Sequence, residues 1–259
     1  MKRTIRLLCL LLFLQFTASA QSYRRSAPPH ISIGLKGGVN LASMAFTDIH
    51  LSGLPQNKVL RPVGGVFVDL PLSTCISIVP ELVYIERGMA THYTHYSGCE
   101  VDYSIHSRYV ALRLPMLVGV NLTSWFQPYL VAGGDVGYLL GGNMRLQQPG
   151  LPSPNLTADL GRANMSPLYL GAFGGLGLRF FMPMNGRRAQ LKVEATYNLD
   201  FMDTFSAMEH SESANPLNVN AYNVTGKRLP KGIEVTMGLA ISLIQEKDAC
   251  YSFSKNKWK

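Results

Sequence analysis

The 259-residue chain is 47% hydrophobic, only 15% charged, and carries a formal net charge of +8. So few charges are unusual for a soluble exported domain, and no basic cluster with interleaved aromatic residues indicates a nucleic-acid partner. Beyond residue 20, no stretch is long and apolar enough for a transmembrane helix. A barrel of strands reconciles these facts, because its apolar residues alternate with polar or small ones.

The N-terminus has the three parts of an export signal. Three basic residues within the first six positions precede an apolar run at 7–16. Ala18-Ser19-Ala20 then forms a small-residue cleavage site. The run is too short for a membrane anchor, so we predict that residues 1–20 are a cleaved signal peptide.

Eight segments of the remaining chain have the pattern of strands. From 233 to 243 every odd position is apolar and every even position is small or polar. A strand with this pattern has one apolar face and one polar face, and about ten residues suffice to cross a bilayer. The predicted strands are 31–41, 61–70, 76–87, 108–120, 126–139, 167–181, 189–200 and 232–244.

The predicted connections alternate in length. Short turns fall at 71–75, 121–125 and 182–188, and long loops fall at 42–60, 88–107, 140–166 and 201–231. Short periplasmic turns opposite long outward loops are typical of outer-membrane barrels. We therefore predict an all-β fold, an eight-stranded antiparallel up-and-down transmembrane β-barrel at 21–245. An even number of strands places both termini in the periplasm, where 246–259 forms a basic tail.

Ten charged side chains are directed into the barrel by the alternation. They are Lys36, Asp69, Glu81, Arg113, Asp135, Arg179, Lys192, Glu194, Asp200 and Glu234. Six acids and four bases nearly balance one another, and the interior of an eight-stranded barrel is just wide enough for its own side chains. We expect an interior plug of ion pairs and hydrogen bonds rather than an ion or proton pathway or an open pore.

Four segments resemble the PorT-like outer-membrane β-barrel family in order and spacing. They are Gly34-Leu-Lys-Gly-Gly-Val-Asn-Leu41, Pro80-Glu-Leu-Val-Tyr-Ile-Glu-Arg-Gly88, Tyr109-Val-Ala-Leu-Arg-Leu-Pro-Met-Leu117 and Pro128-Tyr-Leu-Val-Ala-Gly-Gly133. The resemblance covers nearly the whole mature chain. It implies an eight-stranded barrel in the outer membrane of a Gram-negative bacterium. The branch that gives this family its name takes part in type IX secretion and gliding. It carries over no catalytic residue and no cofactor.

The predicted loop 88–107 contains the densest group of potential metal ligands. His92 and His95 have a spacing that could place two imidazoles on one metal if the loop were helical. Tyrosines are interleaved with them, so we expect a solvated recognition surface and no metal site.

A rim hydrolase would use His106 and Ser107 together with Glu86. Adjacent residues of a strand point to opposite faces, so His106 and Ser107 would not cooperate in regular β-structure. We therefore predict that the protein is not an enzyme and has no catalytic residues.

Three cysteines follow the predicted signal peptide. The predicted topology places Cys75 and Cys250 on the periplasmic side and Cys99 on the other. A Cys75–Cys250 disulfide suits an oxidising compartment, and two free thiols remain the alternative.

We expect a monomeric outer-membrane barrel whose loops recognise a partner or support the envelope or secretion. Its expected partners are outer-membrane lipid, lipopolysaccharide and envelope or secretion-machinery proteins. One alternative is a lipid-modifying enzyme with an active site at the rim. Another is a soluble periplasmic lipocalin-like barrel, which requires Lys36, Lys192, Glu194 and Glu234 to point outward.

Overall fold

A computed structural model describes residues 30–46, 56–94, 100–147, 156–159, 167–184, 187–201 and 228–243. The elements are β1 (Ser32–Phe46), β2 (Gln56–Asn57), β3 (Val59–Pro71), β4 (Ile76–Ile78), β5 (Glu81–Thr94), β6 (Glu100–Gly119), β7 (Phe126–Gln147), β8 (Leu156–Asp159), β9 (Leu168–Met184), β10 (Arg187–Asp200) and β11 (Arg228–Ser242). Among these residues, no helix has the length and apolarity needed to cross a membrane.

The long strands form a closed ring of antiparallel neighbours. The order round the ring is β1, β3, β5, β6, β7, β9, β10 and β11. β11 returns to β1 with an unbroken register from Ser32↔Ser242 to Phe46↔Arg228. The prediction of an all-β, eight-stranded antiparallel up-and-down transmembrane barrel is confirmed. We call the end with the connections at 72–75 and 120–125 the turn end, and the opposite end the loop end.

β4 and β5 are two parts of a single barrel strand. Both pair with β3 on one side and β6 on the other. Val79 and Pro80 separate them, and Pro80 has no N–H to donate to a ladder. The backbone hydrogen bonds on either side of this break are still formed. The Val79 N–H donates to the Pro115 carbonyl at 2.9 Å, and the Val68 N–H donates to the Pro80 carbonyl at 3.0 Å.

Three strands continue much farther toward the loop end than predicted. β5 runs to Thr94 and β6 begins at Glu100, so most of the predicted loop 88–107 is a paired hairpin. β7 likewise continues to Gln147, within the predicted loop 140–166. The prediction of loops at these residues was wrong. Beyond the bilayer the outer face of the sheet meets water instead of lipid, so its residues become polar and the apolar outward positions that mark a spanning strand are lost there.

The outside of the barrel is apolar. Along β11 every outward position from 233 to 243 is apolar. Leu35 is 67% exposed and Leu176 is 65% exposed. A rise of about 3.3 Å per residue and a tilt of about 40° turn this length into a band roughly 25 Å tall, as the hydrocarbon core requires. Aromatic side chains are exposed toward its edges, namely Trp125, Tyr138, Tyr197 and Phe201.

Pairing between β3 and β5 stops partway along the barrel. The last pair toward the loop end is Val63↔Ile85, and β2 resumes pairing with β5 at Asn57↔Ala90. Pro62 lies in this interruption, which we call the seam, and it has no N–H to offer β5. The buried Asn40 side chain compensates by donating to the Glu86 carbonyl oxygen at 3.2 Å.

Candidate functional site

The lumen contains three ionic clusters, of which the first lies near the turn end. Asp69 accepts from Arg179 at 2.9 Å and forms an ion pair with Lys192 at 2.7 Å. Gln127 Oε1 also accepts from Arg179 at 3.2 Å. Asp69, Arg179 and Lys192 are all buried. One carboxylate is therefore shared by two bases in this cluster.

The second cluster lies in the middle of the lumen. Lys36 Nζ lies 2.8 Å from Glu81 Oε2 and 3.4 Å from Glu194 Oε2. The Tyr129 hydroxyl donates to Glu194 at 2.8 Å. A small cavity beside these groups has room for about one water molecule. It is lined by Lys36, Phe67, Glu81, Lys192, Glu194, Thr236 and Gly238.

The third cluster lies toward the loop end and is centred on two arginines. Arg113 binds Glu234 through both guanidinium ends, at 2.8 and 2.9 Å, and lies 3.5 Å from Asp135. Arg87 binds Asp200 and lies 3.4 Å from Asp135. Arg87 is buried but was absent from the predicted set. The sequence pattern could have identified it, because the inward alternation of β5 continues to Arg87 after Glu81, Val83 and Ile85.

All ten charged side chains directed inward by the alternation lie in the lumen. Three of their ion pairs join strands that are four places apart in the ring, and so diametrically opposite. These pairs are Asp69–Arg179, Arg87–Asp200 and Arg113–Glu234. A solute could pass only if these pairs separated, which would leave buried charges without partners.

An apolar layer packs around the third cluster and continues beyond it toward the loop end. Its side chains are almost fully buried and come from β1, β3, β5, β6 and β9. They include Met44, Val63, Ile85, Met89, Ile105 and Tyr169. The buried apolar layer adds a second barrier to ions, because an ion entering it would lose its hydration. The ion pairs and this layer together support a closed barrel.

A separate polar cluster lies on the outside, where the apolar band ends toward the loop end. Glu86 accepts from the Tyr84 hydroxyl at 2.7 Å, and its other oxygen lies 2.7 Å from His106 Nε2. Ser107 points into the lumen instead, where its hydroxyl donates to the Arg87 carbonyl at 3.3 Å. His106 and Ser107 therefore lie on opposite faces, and Ser107 does not contact the His106–Glu86 pair.

Residues 19–206 match the family described as outer membrane protein beta-barrel domain. The chain belongs to this family. Together with the apolar outer band, the match places the barrel in the outer membrane. The inward position of Lys36, Lys192, Glu194 and Glu234 is the reverse of what a soluble lipocalin-like barrel requires.

Several solved structures are similar in fold. Neisserial surface protein A has 10% identity and a TM-score of 0.39, with 82% of this chain and 97% of that chain covered. Ail, the attachment invasion locus protein of Yersinia pestis, has 9% identity, a TM-score of 0.37, and coverage of 83% and 99%. OprG from Pseudomonas aeruginosa has 11% identity, a TM-score of 0.38, and coverage of 83% and 97%. No curated protein matches the chain.

The candidate metal ligands of this outer-membrane barrel lie near the loop end. His92 Nδ1 lies 2.6 Å from Asp102 Oδ1, and both side chains are about half exposed. His95 lies outside the described residues. Within the described parts of the chain, no three His, Cys, Asp or Glu side chains are grouped to hold a metal ion.

Cys75 lies in the turn between β3 and β4 and forms no disulfide with a described residue. Its thiol is 3.7 Å from the Thr74 hydroxyl. Cys250 lies outside the described residues, so the Cys75–Cys250 pairing stays a prediction.

Proposed function

We propose that this protein is a monomeric, non-enzymatic outer-membrane barrel that acts through its loop end, in recognition or as a PorT-like envelope or secretion accessory. The observation that carries the proposal is the closed lumen, in which three ion pairs join opposite strands and an apolar layer packs around the outermost of them. A barrel closed in this way offers its outer surfaces for function. Residues 1–20 would direct export, with the turn end in the periplasm.

The extended sheet of β5, β6 and β7 supports a role for the loop end. β5 and β6 remain paired from Glu86↔Arg108 to Thr94↔Glu100, and β7 follows β6 as far as Asp102↔Gln147. A paired sheet fixes the backbone beyond the band. A fixed backbone costs less conformational entropy on binding than a mobile loop. The four PorT-like segments lie in the barrel strands that support this region and in β1.

Two measurements test the proposal. In planar bilayers the refolded protein should give no steady conductance, and persistent ohmic channels would contradict a closed lumen. In intact cells, a photocrosslinking residue at Arg145 on the loop end should capture an envelope protein. The same residue at Leu176 on the lipid face is the matched control. Equal capture at both positions, or none at Arg145, would contradict recognition through the loop end.

The secretion role has its own test. Deleting the gene should leave exported cargo of the secretion system in the periplasm, and the wild-type gene should restore its release. Unchanged secretion would contradict the PorT-like accessory role while leaving recognition intact.

A lipid-modifying enzyme is the second candidate, and the His106–Glu86 pair is the observation that favours it. Because Ser107 faces the lumen, we expect His106→Ala to leave the lipid A composition of cells unchanged. An altered composition in a deletion strain, restored by the wild type but not by His106→Ala, would instead support the enzyme.

A further inference from the structure

Arg108 is an exposed cation at the level where lipid headgroups meet the barrel. It occupies an outward position of β6. The next outward positions toward the turn end are Val110 and Leu112, which belong to the apolar band. On β7, Tyr138 and Leu140 are exposed beside it. Arginine at such a boundary lies among the phosphates of the outer leaflet if the loop end faces outward.

The carboxylate nearest to Arg108 in the sheet is already engaged. Glu86 is directly opposite Arg108 in the β5–β6 register, but Tyr84 and His106 occupy its two oxygens. Arg108 forms no ion pair with any residue that the structure describes. Its guanidinium can therefore present a fork of N–H donors to a ligand, and that fork suits a phosphate.

The backbone of β7 leaves space beside the guanidinium. Gly141 is opposite Arg108, and the register between β6 and β7 shifts between Arg108 and Tyr109. Gly141 has a φ of 146°, which a residue with a side chain rarely adopts. A Cβ at Gly141 would lie 3.6 Å from Arg108 Nη2. The bulge therefore keeps this side of the guanidinium clear of a side chain.

A second exposed arginine lies farther out on the same face. Arg145 is opposite Ser104, four residues along β6 from Arg108, or roughly 13 Å at the usual rise of a strand. The nearby Asp102 is within 2.6 Å of His92, just as Glu86 is engaged by His106. Among the residues whose side chains the structure describes, neither arginine has an ion-pair partner, so this face presents positive charge at two heights. Lipopolysaccharide carries phosphate both on lipid A and on its sugar core, whereas a phospholipid has phosphate at one depth.

We propose that the outward face of β6 and β7 binds lipopolysaccharide, with Arg108 on a lipid A phosphate and Arg145 on a phosphate of the core. The site rests on the proposed function in one respect, namely the outward placement of the loop end. It adds to the closed barrel a defined lipid partner, whose phosphates are recognised by the positive charge of two arginines.

The test measures binding of fluorescent lipopolysaccharide to the full mature chain in phospholipid nanodiscs. Arg108→Gln should weaken binding about tenfold, as expected for the loss of one charge-assisted pair, and Arg145→Gln should weaken it by a smaller factor. Lys231→Gln, at an outward position of β11, is the matched control and should bind like the wild type. Heat-dependent gel migration checks that each variant is folded.

Removing phosphate from the lipopolysaccharide should weaken wild-type binding and abolish the difference between the wild type and Arg108→Gln. Equal binding of the dephosphorylated lipid would overturn the proposal. So would equal competition by phosphatidylglycerol, or wild-type affinity in both arginine variants.

Labelling of Arg145→Cys with an impermeant maleimide in intact cells, in a background that replaces the native cysteines by serine, separates this proposal from the proposed function. No labelling would overturn the outward loop end and both proposals with it. Labelling together with unchanged lipopolysaccharide binding would overturn the lipid site alone.

Discussion

Replacing Arg113 by glutamine tests whether the lumen pairs hold the barrel together. The Arg113 side chain is 1% exposed. It donates to both oxygens of Glu234 at 2.8 and 2.9 Å. Without it, Glu234 keeps the Asn198 amide at 3.1 Å as a donor but loses its bidentate cation. Removing one partner of a buried pair costs about 3–5 kcal/mol, and we expect Arg113→Gln to lower the free energy of unfolding by that amount.

The assay is urea unfolding of the protein reconstituted in lipid vesicles, followed by tryptophan fluorescence. Trp125 is exposed on the lipid side near the turn end, and a Trp258→Phe background makes it the reporter. Glu234→Gln alone should be destabilising too. The double variant should lose at least about 2 kcal/mol less than the sum of the single losses, because neither charge is then left unpaired.

Two outcomes would refute this reasoning. A loss below about 1 kcal/mol for Arg113→Gln would mean that water screens the lumen charges. Additive single and double losses would mean that Arg113 and Glu234 act independently. Lys231→Gln removes a charge at an outward position of β11 and should change stability by less than about 0.5 kcal/mol.

Three further predictions use the same unfolding assay. Gly65→Ala should lower the free energy of unfolding by about 1–3 kcal/mol, because its Cβ would meet the Leu82 carbonyl oxygen. Gly64→Ala is the control and should be neutral, because its Cβ would lie 3.5 Å from the nearest atom. Equal effects of the two variants would disprove the close approach at Gly65. Asn40→Ala should cost about 1–3 kcal/mol by leaving a backbone carbonyl at the seam without its donor, and an unchanged midpoint would argue against that role. Leu176→Arg should cost about 2–4 kcal/mol in the middle of the band, and Leu140→Arg at its edge about 0–1. Equal costs would contradict the placement of the membrane.

The strand faces were predictable because the bilayer imposes them. Inside the band one face meets lipid and the other meets the lumen, so apolar and polar residues alternate with a period of two. That contrast ends near Glu86 and Arg108. Farther out, the outward face of β5 and β6 meets water instead of lipid and carries polar residues such as Ser104 and His106, so 88–107 was predicted as a loop. Arg87 was missed for a related reason, since it lies where the predicted strand ended.

The sequence did not predict which charged side chains of the lumen pair with one another. Alternation fixes the face of a side chain but not its height in the barrel or its neighbours across the lumen. Lys36 and Glu81 belong to β1 and β5, which are separated by β3 in the ring. Arg113 and Glu234 come from diametrically opposite strands. These ion-pair contacts depend on the tilt and stagger of the strands in the closed barrel, which local sequence patterns do not encode.

The ionic lumen has a further consequence for register. If β11 slipped by one residue, Glu234 would face lipid and Ile233 would enter the lumen. A carboxylate that faces lipid is unfavourable even near the edge of the apolar band, and Arg113 would lose its partner. A slip of two residues would keep the faces but move Glu234 by roughly 6–7 Å, again beyond the reach of Arg113. An apolar lumen would penalise neither slip as strongly. The buried ion pairs therefore favour one register of β11, and the Arg113–Asp135 contact favours one register of β6 against β7, whose shared outward face carries Arg108 and Arg145.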